Sequence, residues 1–213
     1  MTIAGESANG EAEGVVEGLR AAEHQALLEH CARYVRWRLQ RGAPAASPPA
    51  WLLSREGGCF VTWKTHPEGE LRGCIGRIHS AGRSLVEVAQ EMAISAARAD
   101  PRFPPIELEE LPRLSLSVTV IGDCRPWPCP RDPGEIALGR EGLIVRIEGE
   151  GGVLLPQVAI EWGYDGRAFL EATCLKASLD RGAWRRPDVE VSRFEAWERQ
   201  APYRELAGTL AQE

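Results

Sequence analysis

The sequence predicts an α+β fold whose sheet is mainly antiparallel, with helices packed against it. Two pairs of short apolar segments, 59–64 with 70–76 and 143–147 with 153–155, are each joined by a short connection that contains glycine. That arrangement is typical of β-hairpins. Segments with helical periodicity lie between the hairpins, as in α+β proteins. With 213 residues and 44% hydrophobic content, the chain can bury a substantial core.

The two ends of the chain differ in composition from the rest. Residues 1–17 are rich in Gly and Glu, which predicts a disordered lead. We expect residues 18–200 to form a single domain and residues 201–213 to form a C-terminal tail.

The predicted helices have recognisable starts and stops. Apolar residues recur at helical spacing between residues 19 and 41, where Gly42 follows. Ser84 and Glu87 have the spacing of a capping box, and the helix that they begin should stop at Asp100 because proline follows it. Further helices are expected over 156–162 and after Asp165, which can cap the second of them.

The remaining strands are predicted from alternation. Apolar residues alternate with Ser115, Ser117 and Thr119 between positions 114 and 121, which predicts a half-buried strand with its hydroxyl groups facing outward. A closing strand is expected over 189–197.

Composition excludes several classes of protein. The net charge is −6 and the pI is about 5.4, which argues against a nucleic-acid-binding protein because such proteins need a basic face. No apolar run is long enough to span a membrane or to serve as a signal peptide, so we expect a cytoplasmic protein. The six cysteines contain no C-x-x-C pair, which favours free thiols over a metal site. No cofactor is expected.

The most informative stretch runs from Glu70 to Gly76. In an extended strand, Arg72 and Cys74 would share one face while Leu71 and Ile75 point into the core. A guanidinium near a thiol favours the reactive thiolate. Cys74 is therefore the candidate nucleophile, with Arg72 beside it; as a packed residue, Cys74 would be inert.

The run Leu71-Arg72-Gly73-Cys74-Ile75-Gly76 resembles the signature of the AMMECR domain family, whose prokaryotic branch is called AmmeMemoRadiSam system protein A. The similarity covers roughly residues 20–197 and implies a larger and a smaller lobe around a cleft. Further similar motifs are 100–105, 109–112, 152–158 and 169–177.

The matching motifs suggest substrate-binding residues in addition to Arg72 and Cys74. Two converging guanidinia, Arg72 and Arg102, would suit a small anionic substrate, although Asp100 and Arg102 could instead form a structural pair. The chain departs from the family pattern at Arg77 and at Glu141, where a histidine is common. The expected substrate-binding residues are Gly73, Gly76, Asp100, Arg102, Gln157 and Lys176.

Two functions remain open on the sequence. In the first, the protein is an enzyme or an enzyme partner that acts on a small anionic metabolite through Arg72 and Cys74. The resemblance implies Memo-like and radical S-adenosylmethionine proteins as its companions, and any iron chemistry would belong to them. In the second, the same surface is a non-catalytic module that binds a protein or RNA, and Cys74 is only packed.

Overall fold

The computed structural model describes residue 19 and residues 21–40, 47–148 and 150–208. The predicted lead lies outside these residues. The helices are α1 (Ala21–Gln40), α2 (Ala50–Leu53), α3 (Leu85–Arg98), α4 (Pro156–Glu161), α5 (Gly166–Lys176) and α6 (Tyr203–Gly208). The strands are β1 (Gly58–Thr65), β2 (Leu71–Arg77), β3 (Leu114–Ile121), β4 (Arg125–Pro126), β5 (Glu141–Ile147), β6 (Glu150–Leu154) and β7 (Glu190–Pro202).

The strands form one antiparallel sheet in the order β2-β1-β3-β7-β5-β6, and the short β4 pairs with β7. Both predicted hairpins are present, β1 with β2 and β5 with β6. The last strand, β7, lies in the middle of the sheet and pairs with β3 on one side and β5 on the other. The predicted α+β fold with an antiparallel sheet is confirmed.

Two hydrophobic cores of unequal size lie against the sheet. In the larger core, α1 and α3 pack on one face of β1 and β3. In the smaller core, α5 packs against β5 and β6. A third cluster, formed by Ile121, Ile144 and Phe194, is contacted by Phe60 of β1 and by Leu155 after β6. The sheet is therefore curled, and side chains from both of its halves meet.

Helix α3 begins where the sequence predicts. Ser84 accepts a hydrogen bond from the Glu87 backbone N–H, and the Glu87 carboxylate accepts one from the Ser84 N–H. Its apolar face is buried, and Trp63 of β1 donates a hydrogen bond to its Ala93 carbonyl oxygen, 3.3 Å away. The capping box and the apolar stripe thus fix both the start and the orientation of α3.

Three local expectations need correction. Ser115, Ser117 and Thr119 do alternate with apolar residues, but all three are buried, because β3 lies between two strands of a curled sheet. Leu71, expected in the core, is 39% exposed; the next subsection gives the reason. The predicted tail is ordered as far as residue 208, since β7 continues to Pro202 and α6 follows it.

Candidate active site

Strand β2 is an edge of the sheet, and the groups on its outer side bind the segment that follows α3. The Cys74 N–H donates to Asp100 Oδ2 at 2.9 Å, and Arg102 Nη2 donates to the Cys74 carbonyl oxygen at 3.2 Å. We call Asp100 and Arg102 the clamp. The clamp satisfies polar groups that an edge strand leaves unpaired, and it fixes the Cys74 backbone.

The clamp is also an ion pair. Arg102 Nε and Nη2 donate to the two Asp100 oxygens at 2.9 and 2.7 Å, while the Arg102 backbone N–H donates to Oδ1 at 3.1 Å. Asp100 is buried, whereas the Arg102 side chain is 53% exposed. The hydrogen bonds from Arg102 hold the pKa of the Asp100 carboxyl well below its usual range, even though burial opposes that shift. Asp100 thus stays negatively charged next to the Cys74 backbone N–H.

Arg72 lies in a β-bulge. Trp63 of β1 pairs with Gly73, and Lys64 pairs with Leu71, so Arg72 has no partner on β1. A bulge interrupts the alternation of faces along a strand. Because of the bulge, Leu71 does not point into the core as strict alternation predicts. Ile75, which lies beyond the bulge, does pack against the core.

The Arg72 guanidinium is already paired within the protein. Its Nε and Nη2 donate to the two Glu110 oxygens at 2.8 and 3.0 Å, and Nη1 donates to the Pro104 carbonyl oxygen at 2.7 Å. This bidentate pair is largely shielded, with 13% of the Arg72 side chain and 28% of the Glu110 side chain exposed. Arg72 thus ties β2 to the segment after α3, and Glu110 takes the place at which a substrate carboxylate was expected.

The Cys74 side chain faces Thr62 on β1. The Thr62 hydroxyl donates to Cys74 Sγ at 3.2 Å. The two residues are directly opposite each other in the register, and because the Cys74 N–H points outward to Asp100, they form a non-hydrogen-bonded pair, in which side chains lie close together. Cys74 itself is partly exposed.

Four of the other cysteines are in environments that disfavour the thiolate. Burial raises the pKa of Cys31 to about 12 and also raises the pKa of Cys59, Cys124 and Cys174. Cys129 is partly exposed, and Arg131 Nη1 donates to its sulfur at 2.9 Å.

Packing explains both glycines of the signature. A Cβ on Gly73 would lie 2.1 Å from the Ala96 carbonyl oxygen of α3, and a Cβ on Gly76 would lie 2.1 Å from the Phe60 ring. Gly73 therefore lets α3 approach β2 closely, and Gly76 makes room for an aromatic ring from the neighbouring strand.

The remaining predicted residues lie elsewhere in the fold. Gln157 is in α4 and Lys176 is exposed at the end of α5, at the other end of the sheet from β2. Of the two departures from the family pattern, Arg77 pairs with Glu91 at 3.2 Å, and Glu141 accepts a hydrogen bond from the Ala137 N–H at 2.9 Å. The structure thus brings four of the predicted residues together: Arg72, Cys74, Asp100 and Arg102. Among the described residues, none of these four contacts Gln157 or Lys176.

Sequence reasoning missed Thr62 and Glu110. Thr62 could have been found from the hairpin register, which places it opposite Cys74. Glu110 belongs to a motif that the sequence singled out, but its partner Arg72 is 38 residues away, beyond the reach of local patterns. Four cavities among the described residues, of about 90 to 480 Å³, are lined by other residues.

The fold and the site together define an α+β domain with a curled antiparallel sheet, in which a cysteine on the edge strand is fixed by an Asp–Arg clamp. The chain belongs to the AMMECR1 family, whose sequence profile matches residues 28–198.

Several relatives support this assignment. A Methanopyrus kandleri protein, MK0488, is 43% identical over 153 residues, which cover 70% of this chain and 73% of that protein. An Aquifex aeolicus protein is 35% identical over 185 residues, covering 84% and 94%. The crystal structure of the uncharacterized protein PH0010 from Pyrococcus horikoshii superposes with a TM-score of 0.77 at 36% identity, over 84% of this chain and 92% of that one.

Membrane-spanning helices and metal-binding clusters are absent from the described residues. None of the described helices combines the length and the apolar character needed to span a membrane. The described residues also contain no group of three or more His, Cys, Asp or Glu side chains placed to hold a metal ion.

Proposed function

We propose that this protein is a cytoplasmic enzyme, or the substrate-holding partner of one, that acts on a small anionic metabolite through Cys74. The observation that carries the proposal is the way Cys74, a partly exposed residue, is held: its backbone is fixed by the clamp while its sulfur accepts a hydrogen bond from Thr62. Fixed geometry of this kind is what a reactive group needs and what a packed cysteine does not require.

The chemistry follows from the sulfur and its neighbours. The Thr62 hydroxyl orients the sulfur by donating a hydrogen bond to it, and the Arg102 guanidinium, whose charge is balanced by Asp100, donates to the Cys74 carbonyl oxygen. The simplest covalent step is addition of the thiolate to an electrophilic carbon that is double-bonded to a heteroatom. The sulfur–carbon bond forms as the π electron pair of the double bond moves to that heteroatom, and the thiol proton passes to water.

The role of Arg72 changes in this proposal. The sequence suggests that Arg72 activates the thiol and binds the substrate, but its guanidinium is engaged by Glu110. In the proposal, Arg72 positions β2, and its loss would affect function through the placement of Cys74. The half-exposed Arg102 is the member of the clamp that can also face a ligand.

The test is residue-resolved alkylation of the native protein with iodoacetamide, read by mass spectrometry. We expect Cys74 to react faster than Cys31, Cys59 and Cys174 at pH 7. Thr62→Val keeps the shape of the side chain and removes the hydrogen bond that orients the sulfur, so it should slow Cys74 about three- to tenfold at pH 7.

The control is Thr65→Val on the same strand, whose hydroxyl accepts a hydrogen bond from the Glu70 N–H at 3.1 Å and has no contact with Cys74 among the described residues. If Cys74 stays unmodified until the protein unfolds, the nucleophile is excluded. If Thr62→Val and Thr65→Val behave alike, the Thr62 hydroxyl has no part in orienting the sulfur.

We further propose that the protein acts together with a Memo-like protein and a radical S-adenosylmethionine protein. An exposed apolar patch supports a protein partner: Trp162 is 70% exposed and Ile160 is 64% exposed at the end of α4, and Leu138 lies in the adjoining turn. Patches of large apolar residues commonly mark interaction sites. Co-purification of the two expected companions with the wild-type chain, and its loss in Trp162→Asp, is the test. Equal recovery with Trp162→Asp would remove the patch as the interface.

A further inference from the structure

One face of the sheet carries a row of polar side chains that begins at Cys74. Across the strands, Cys74 pairs with Thr62, Thr62 with Ser117, and Ser117 with Gln200. Side chains directly opposite each other in an antiparallel sheet point to the same face. The face opposite the larger core therefore presents a thiol, two hydroxyls and an amide in sequence, and we call these four residues the polar row.

Ser117 is the unexplained member of the polar row. It is 2% exposed, and its Oγ has no hydrogen-bond partner among the described residues. Buried hydroxyl groups in folded proteins are nearly always paired, because an unpaired one loses its hydrogen bonds to water without replacing them. The Ser117 hydroxyl, beside the Thr62 that contacts the Cys74 sulfur, is a hydrogen-bond donor that no described residue uses.

Lys64 lies on the same face, next to the polar row. It follows Thr62 by two residues in β1 and pairs with Ser115 in an unbroken register with β3, so its side chain shares the face of Thr62 and Ser117. Among the described residues, its ammonium group has no hydrogen bond and no ion-pair partner. The chain contains only two lysines, Lys64 and Lys176.

The contrast with the nearby arginines is informative. Arg72 is neutralised by Glu110 and Arg102 by Asp100, whereas Lys64 has no ion-pair partner in the part of the chain that the structure describes. A partly covered cation without a counter-charge, beside an orphaned hydroxyl, is complementary to an anionic oxygen group.

We propose that Lys64 and Ser117 bind the anionic group of the substrate, a carboxylate or a phosphate monoester, and so direct its electrophilic carbon to Cys74. This inference rests on the proposed function of Cys74 and adds a recognition site that the family motif does not contain. Lys64 supplies the charge, the Ser117 hydroxyl donates to an oxygen of the group, and Thr62 orients the sulfur. Lys64 lies two positions from Thr62, the residue opposite Cys74, and residues two apart on a strand are separated by about 7 Å. A substrate of a few carbon atoms spans that distance between its anionic group and its electrophilic carbon.

The test compares an anionic and a neutral alkylating reagent at Cys74. Iodoacetate and iodoacetamide undergo the same reaction: the sulfur–carbon bond forms, the carbon–iodine bond breaks, iodide leaves and the thiol proton passes to water. We expect Lys64→Gln to lower the ratio of the iodoacetate rate to the iodoacetamide rate at Cys74 by about three- to tenfold, the effect of one partly screened charge. Ser117→Ala should lower the same ratio.

Two controls are available within the protein. Lys176→Gln removes the other lysine, an exposed one, with the same change in net charge, and it should leave the ratio at Cys74 unchanged. Cys129 is also partly exposed, so its ratio in the same digest reports any change in the reagents or in the overall charge.

The outcomes separate this inference from the proposed function. If Cys74 reacts with neither reagent, the proposed nucleophile fails. If Cys74 reacts with both and Lys64→Gln leaves the ratio as it is in Lys176→Gln, the nucleophile stands and the anion site is refuted.

A separate protection experiment identifies the anion. Inorganic phosphate and acetate are added separately, and we measure whether each protects Cys74 against iodoacetamide. Protection should disappear in Lys64→Gln. Protection by neither anion in the wild-type protein contradicts the inference as well.

Discussion

Replacing Asp100 with asparagine tests whether the clamp holds the edge strand in place. Asparagine keeps the shape of the side chain but removes the charge and replaces one acceptor oxygen with an amide donor. Asp100 accepts four hydrogen bonds, from the Cys74 and Arg102 backbones and twice from the Arg102 guanidinium. At least one donor would therefore face another donor in a buried position.

The magnitude follows from those contacts. Hydrogen bonds to a charged group contribute about 1.5–3 kcal/mol each, but half of the Arg102 side chain is exposed, so water partly replaces what that guanidinium loses. We expect the free energy of unfolding to fall by about 2–4 kcal/mol, a large share of the 5–15 kcal/mol typical of a domain. Urea denaturation of wild type and Asp100→Asn, followed by tryptophan fluorescence, measures this difference.

The dependence on pH gives a second readout. The pKa of Asp100 is lower in the folded protein than its ordinary value of 3.8, so its stabilising contribution is fully present above that value and is lost as the pH falls towards the folded pKa. The difference between wild type and Asp100→Asn should be constant from pH 5 to 8 and should shrink below pH 4.

The chain provides its own control in Asp188. Asp188 and Arg186 form a similar bidentate pair two residues apart, but both side chains are more than half exposed. Exposed pairs contribute little, so Asp188→Asn should leave the denaturation midpoint unchanged. If Asp100→Asn is as mild as Asp188→Asn, the clamp does not stabilise the edge strand and our account of Cys74 placement is wrong.

Further predictions concern the larger core. Burial lowers the pKa of His30 to about 4 from 6.5, so stability should decline as the pH falls from 6.5 to 4, where the unfolded chain binds the extra proton; denaturation of His30→Gln should show a weaker dependence over that range. Gly73→Ala should cost several kcal/mol because its Cβ would meet the Ala96 carbonyl at 2.1 Å, whereas Gly57→Ala, with its nearest atom at 3.5 Å, should be tolerated; thermal melts distinguish the two. Ser84→Ala should cost about 1 kcal/mol by urea denaturation, since it removes a helix cap, and no change would contradict that role.

Local patterns account for what could be predicted from the sequence. The capping box at Ser84 and the alternation along β3 each depend on residues within a few positions of one another, where spacing determines structure. The hairpins are likewise local, and the family resemblance carried by the signature around Cys74 is confirmed by the family profile.

Long-range pairing accounts for what could not be predicted. The bulge at Arg72 reverses the expected direction of Leu71, and a bulge leaves no periodic signal. The contacts of Arg72 with Glu110 and of Cys74 with Asp100 join residues 38 and 26 positions apart. Their meeting depends on how α3 packs on the sheet, and no spacing rule spans such a distance. The contact of Arg102 with Cys74 could not be predicted for the same reason.

The position of β7 has a consequence for how the chain folds. Its 13 residues, ending at Pro202, join the two halves of the sheet, because β3 pairs with β7 on one side and β5 pairs with it on the other. During synthesis, the two halves of the sheet cannot be joined until β7 has left the ribosome. A chain that stops before residue 190 would keep both hairpins but would have no strand to join them, and the exposed edges of β3 and β5 would become sites for pairing with other chains.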